Sequence, residues 1–221
     1  MTMVSTIFAA YLLLQLGLFT WSFSICGPAS FRLWFLRIMF AGIAYDNLML
    51  VLGPTCIGRN WYLLASYPRY VLHAAILPFI TLFVLSVMQV TGVGLGDKPP
   101  FILFCLVFTC IALVYGMWHE VLRLELAPED TLDHPRLART SKTPPLATIA
   151  TNFLILPLAV MIWHQSGRWL LFAGSLFIFL VNSVSAEKNW GYIARNGAEV
   201  IFMCSLLITE SFLVSTRLGS T

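Results

Sequence analysis

Seven apolar runs, each near the length that crosses a lipid bilayer, follow one another along this chain. They cover about residues 4–26, 31–53, 70–93, 100–118, 146–164, 169–184 and 193–216, the sixth being the shortest. A membrane-spanning helix needs roughly 17–25 predominantly apolar residues. In lipid no water is present to bond the peptide N–H and C=O groups, so each run must satisfy its own backbone, which a helix does. A barrel would show segments of about ten residues alternating in polarity, and none occurs here. The expected fold is all-α: one polytopic bundle of about seven transmembrane helices occupying residues 1–221. Turn signals stand at Gly27-Pro28, Gly53-Pro54, residues 94–100, Pro144-Pro145 and Ser166-Gly167.

Composition agrees. Of 221 residues, 59% are hydrophobic and 10% charged, against about 25% charged in a soluble domain. That shortage leaves no solvated surface for a soluble domain beside the bundle. The net charge of +3 comes from scattered basic residues, which excludes a nucleic-acid partner and reads as topology information. No Lys or Arg precedes the first run, so it reads as a retained helix, not a cleaved signal. Cys26, Cys56, Cys105, Cys110 and Cys204 show no paired-ligand spacing and read as small buried hydrophobes.

One connection is long, residues 119–145. Its start, His119-Glu120, can extend the fourth helix. Residues 126–145, with Glu129, Asp130, Asp133, His134, Arg136, Arg139 and Lys142, read as a polar surface loop. With seven spans, the N-terminus shares one side with Arg59, Arg69, Arg123, Arg136, Arg139, Lys142, Lys188 and Arg195. The other side holds Arg32, Lys98, Arg168 and Arg217. The excess of basic residues puts the N-terminus in the cytoplasm and the C-terminus on the opposite side. Trp61, Trp118 and Trp190 fall at the first boundary, and Trp21, Trp34, Trp163 and Trp169 at the second, as aromatic belts do.

This topology gathers polar side chains toward one leaflet. Asp46 and Asn47 lie in the inner half of the second run, Arg69 and His73 at the start of the third, and Glu120 at the end of the fourth. Asn152 opens the fifth run, Asn182 closes the sixth, and Arg195, Asn196 and Glu199 open the seventh. An ionised side chain at the bilayer centre costs about 2.5–3.5 kcal/mol on insertion scales, which makes it a site candidate. Asp46, Glu199, His73 and Glu120 are the candidate catalytic residues. Asn47, Arg69, Tyr70, Asn152, Asn182 and Asn196 are the candidate substrate-binding residues. Polar groups in membranes also serve simply as hydrogen bonds between helices, at about 0.6 kcal/mol each.

The chemistry is narrowed by exclusion. The last run has no lysine for retinal, and His119-Glu120-Val121-Leu122-Arg123 lacks the second histidine of a zincin motif. No paired-aspartate motif, serine elbow or phosphate loop is present. Haem ligation by His73 and His119 has no supporting pattern, and no metal or cofactor is expected. Acid–base chemistry on a hydrophobic molecule remains: isomerisation, cyclisation or hydrolysis of a lipid or isoprenoid drawn from the membrane. The alternatives are a small proton-coupled transporter using Asp46, Glu199 and Glu210 as a relay, and a structural subunit of a membrane complex. The expected partners are membrane lipids and a hydrophobic small molecule.

Overall fold

The computed structural model describes residues 2–25, 30–141 and 144–218. Cys26, the Gly27-Pro28 turn and Lys142 lie outside the described residues. Helix α1 (Met3–Ser24) starts at Thr2, whose hydroxyl accepts from the Ser5 amide at 3.2 Å. Ser30 caps α2 (Phe31–Cys56) in the same way through the Leu33 amide. These hydroxyls satisfy N–H groups that a helix start leaves open. α3 (Asn60–Ile76) runs through one 3-10 turn (Leu77–Phe79) into α4 (Ile80–Val90), making one traverse. The break falls at Pro78, which has no amide hydrogen to give. α5 (Pro99–Gly116) ends in a π-helical turn (Met117–Val121). α6 (Leu146–Ser166), α7 (Leu170–Ser185) and α8 (Gly191–Leu218) complete the bundle, with Gly167 in the left-handed region (φ 69°) ending α6.

Six of these traverses are long and apolar enough to cross a membrane, and α7, at 16 residues, is a shorter apolar helix. The protein is an all-α, multi-pass membrane bundle. One boundary differs clearly from expectation. The third traverse begins at Asn60, not near residue 70, because Pro68 sits inside α3 without ending it. Tyr62, Ser66 and Arg69 are therefore helical.

The larger correction concerns residues 126–145. Part of that segment is a β-hairpin, β1 (Leu126–Thr131) paired antiparallel with β2 (His134–Arg139). Leu132 and Asp133 both take positive φ (59° and 53°), as a two-residue hairpin turn requires. β2 is not a solvated loop: His134 is 0% exposed, Leu137 4% and Arg136 8%. Its charged residues hid this in the sequence, because their burial is supplied by other elements.

The helices form a closed ring. α1 packs on α2 and α8, α8 on α7, α7 on α6, α6 on α4 and α5, and α2 on α3 and α4. A Cβ on Gly174 would lie 2.1 Å from the Ser205 Oγ, so glycine lets α7 and α8 touch. The large apolar core draws on residues 33–43, 77–93, 155–178 and 198–214. It fills the half of the bundle remote from the hairpin. Among the described residues the hairpin half holds two small clusters, Val4, Phe8, Leu50 and Tyr192, and Met49, Tyr62 and Leu137. All seven tryptophans are exposed, and they fall toward the two ends of the traverses.

Candidate functional site

The hairpin end is zipped together by polar contacts between α2 and α3. Tyr45 donates to the Ala65 carbonyl at 2.6 Å, and the buried Tyr62 donates to the Met49 carbonyl at 2.7 Å. One level deeper, Arg69 Nε donates to Asp46 Oδ1 at 2.6 Å. The Arg69 side chain is 8% exposed and that of Asp46 25%. The same guanidinium reaches the Leu137 carbonyl at 3.4 Å, and so does the Tyr70 hydroxyl. Asp46, Arg69 and Tyr70 thus bind the hairpin to two helices.

Glu199 on α8 completes this group. The charges it senses are those of His73, Asp46, Arg195 and Arg69. Among the described residues it has no hydrogen bond, and the three ion pairs are Arg32–Glu210, Arg69–Asp46 and Arg136–Glu129. Glu199 is half-buried, while His73 is exposed. The site therefore combines an engaged carboxylate, Asp46, with an unengaged one, Glu199. It sits where the apolar core gives out.

Other expected residues are placed differently. Asn47 is fully buried, and its amide nitrogen bonds back to the Ile43 carbonyl on its own helix, leaving Oδ1 without a partner. Asn196 bonds back to the Tyr192 carbonyl, and its Oδ1 is likewise buried and unpartnered. Glu120 lies in the π-helical turn with Oε1 buried and unpartnered. Asn152 is buried on α6 and Asn182 half-buried on α7. No hydrogen bond or ion pair joins Glu120, Asn152 or Asn182 to the Asp46–Glu199 group among the described residues.

Sequence reasoning missed the hairpin's part in this site. Its turn lies against α8, where the Tyr192 hydroxyl donates to the Thr131 carbonyl at 3.2 Å. The Arg136 guanidinium lies 3.8 Å from the Tyr192 ring centroid, in reach of cation–π attraction, and pairs with Glu129. The His134 ring packs with those of Phe8 and Tyr192, 5.4 and 5.9 Å away, and those two rings lie 5.7 Å from each other. Burial, and then the neighbouring Arg136, push the His134 imidazole below its ordinary value of 6.5. The only signal for this in the sequence is the period-two placement of His134 and Arg136.

Glu210, the third member of the relay reading, is committed elsewhere. It is fully buried at the far end and ion-paired with Arg32, whose guanidinium also donates to Ser86, and it accepts from the Ser30 hydroxyl. Arg37 stacks on Phe23 and Trp34 and donates to the Ser22 carbonyl.

Comparison with known proteins returns no match: no family model, no curated protein and no solved structure is similar to this chain.

Proposed function

We propose that this protein is a membrane enzyme that transforms a hydrophobic lipid or isoprenoid by acid–base chemistry, with Glu199 as the group that moves the proton. The observation that carries this reading is the placement of Glu199. Among the described residues it is a carboxylate without ion pair or hydrogen bond, half-buried in a membrane-spanning helix, in the field of His73, Arg195 and the Asp46–Arg69 pair. A carboxylate kept unpaired in such surroundings is costly, and one that can both give and take a proton suits isomerisation, cyclisation or hydrolysis. His73 is the neighbouring group that relays or receives the proton. Asp46 holds Arg69 in place, and Arg69 and Tyr70 fix the hairpin that closes this end. The basic residues favour this end as the cytoplasmic one, with the C-terminus opposite.

The relay reading is less well supported, because the Arg32–Glu210 pair ties up the far carboxylate. The test is turnover of a membrane-lipid extract by purified protein reconstituted in vesicles, read by mass spectrometry. Isomerisation or cyclisation gives a product isobaric with its substrate, and hydrolysis adds one water. Glu199→Gln is expected to abolish the conversion while the protein stays folded. Full turnover by folded Glu199→Gln would remove the assignment.

A further inference from the structure

Arg195 stands one turn before Glu199 on α8 and therefore shares its face. Its Nε donates to the Gly191 carbonyl at 3.2 Å. Its two terminal NH2 groups have no protein partner among the described residues, and it belongs to none of the three ion pairs. The charges it senses are Glu199 on its own helix and Arg136, Arg139 and Glu129 on the hairpin.

The neighbouring arginines are already engaged. Arg69 holds Asp46, and Arg136 holds Glu129 and the Thr131 hydroxyl. Arg195 is different. It is half-buried and, beyond the Nε contact to the Gly191 carbonyl, presents a fork of N–H donors with no protein partner among the described residues. Such a fork matches the two oxygens of a carboxylate or phosphate, and a partly desolvated arginine gains most from an anion. We infer that Arg195 is the headgroup-binding residue of the site, and that its ligand is an anionic amphiphile with a carboxylate or phosphate at the polar end.

The helix sets the ligand's depth. Four residues at 1.5 Å each separate Arg195 from Glu199, about 6 Å along the axis. Arg195 lies nearer the hairpin and Glu199 nearer the apolar core. An anionic head on Arg195 brings a group about 6 Å down the chain level with Glu199, and the tail continues toward the core. This inference rests on the proposed function for the identity of the ligand, but its binding claim is measured separately.

The experiment uses the full chain in phosphatidylcholine nanodiscs and radiolabelled oleate, oleyl phosphate and oleyl alcohol, with inorganic phosphate as competitor. Oleate and oleyl phosphate are expected to bind about tenfold or more tighter than oleyl alcohol, the value of one charge-assisted hydrogen-bonded contact. Arg195→Gln is expected to erase that preference while leaving oleyl alcohol binding unchanged, and Arg195→Lys to restore part of it. Equal binding of oleate and oleyl alcohol to the native chain would overturn the inference. Displacement of oleate by inorganic phosphate alone would overturn the lipid assignment in favour of a soluble anion. Glu199→Gln is expected to keep the anion preference. If that variant were also fully active, the proposed function would fall while the headgroup site stood.

Discussion

Arg69 on α3 donates through Nε to Asp46 on α2 and through a terminal nitrogen to the Leu137 carbonyl on the hairpin. One side chain therefore joins two transmembrane helices to the element that covers them. Asp46→Asn leaves the Arg69 guanidinium, 8% exposed, without its counter-charge. A fully buried pair costs about 3–5 kcal/mol to break from one side. Asp46 retains some exposure, so about 2 kcal/mol is expected here. Denaturant unfolding in micelles measures the loss, and faster amide exchange in residues 126–139 locates it at the hairpin.

The Arg32–Glu210 pair gives a cleaner case, since both partners are buried. Glu210→Gln should destabilise the bundle by about 3–5 kcal/mol, because Arg32 is left charged and uncompensated. Replacing both with methionine should cost much less than the sum of the single changes. Additive losses in the double variant, measured by thermal unfolding, would show that the pair is not coupled.

The hairpin's seat is Gly53. A Cβ there would meet the Pro135 carbonyl oxygen at 2.6 Å and the Tyr62 hydroxyl at 3.1 Å. Gly53→Ala is expected to displace β2 and cost about 1–3 kcal/mol, the usual penalty of overpacking. A Cβ on Gly17 would meet nothing within 4 Å, so Gly17→Ala should leave stability unchanged or raise it. Proteolysis within residues 126–139 separates the two: Gly53→Ala should be cut faster than the native chain, and Gly17→Ala should not.

The docked hairpin should also respond to pH through His134. Its folded-state pKa lies below 6.5 because burial, with Arg136 alongside, penalises the imidazolium. The unfolded or undocked form therefore binds the proton more readily. The stability His134 contributes is full above 6.5 and is lost as pH falls from there toward the folded value. Arg136 and Asp130 on the hairpin, Tyr192 on α8 and the Leu50 carbonyl on α2 are the groups that act on this ring. Amide exchange in β2 should quicken on acidification through that window, and His134→Phe should flatten the response. An unchanged profile in His134→Phe would assign the acid sensitivity to another group.

Much of the architecture is written in one dimension. Seven apolar runs become helices, six of them long enough to cross a membrane and one shorter, because a helix satisfies its own backbone hydrogen bonds in lipid. The one-sided polar layer follows from counting spans, and Asp46, Arg69, His73 and Glu199 do gather at one end. The same count leaves Asp46 and Glu199 looking alike, two carboxylates at similar depth. Only the packed bundle separates them: Asp46 faces Arg69, and Glu199 faces no ion-pair partner among the described residues. Which way a side chain turns around its helix depends on neighbours far away in sequence. Residues 126–139 show the limit most clearly. Their charges suggest a solvated loop, yet Phe8, Gly53 and Tyr192 bury His134 and Arg136 from three other elements. Local composition determines which segments enter the membrane. Where a polar segment goes is decided by the surfaces that fold against it, and those exist only once the bundle has formed.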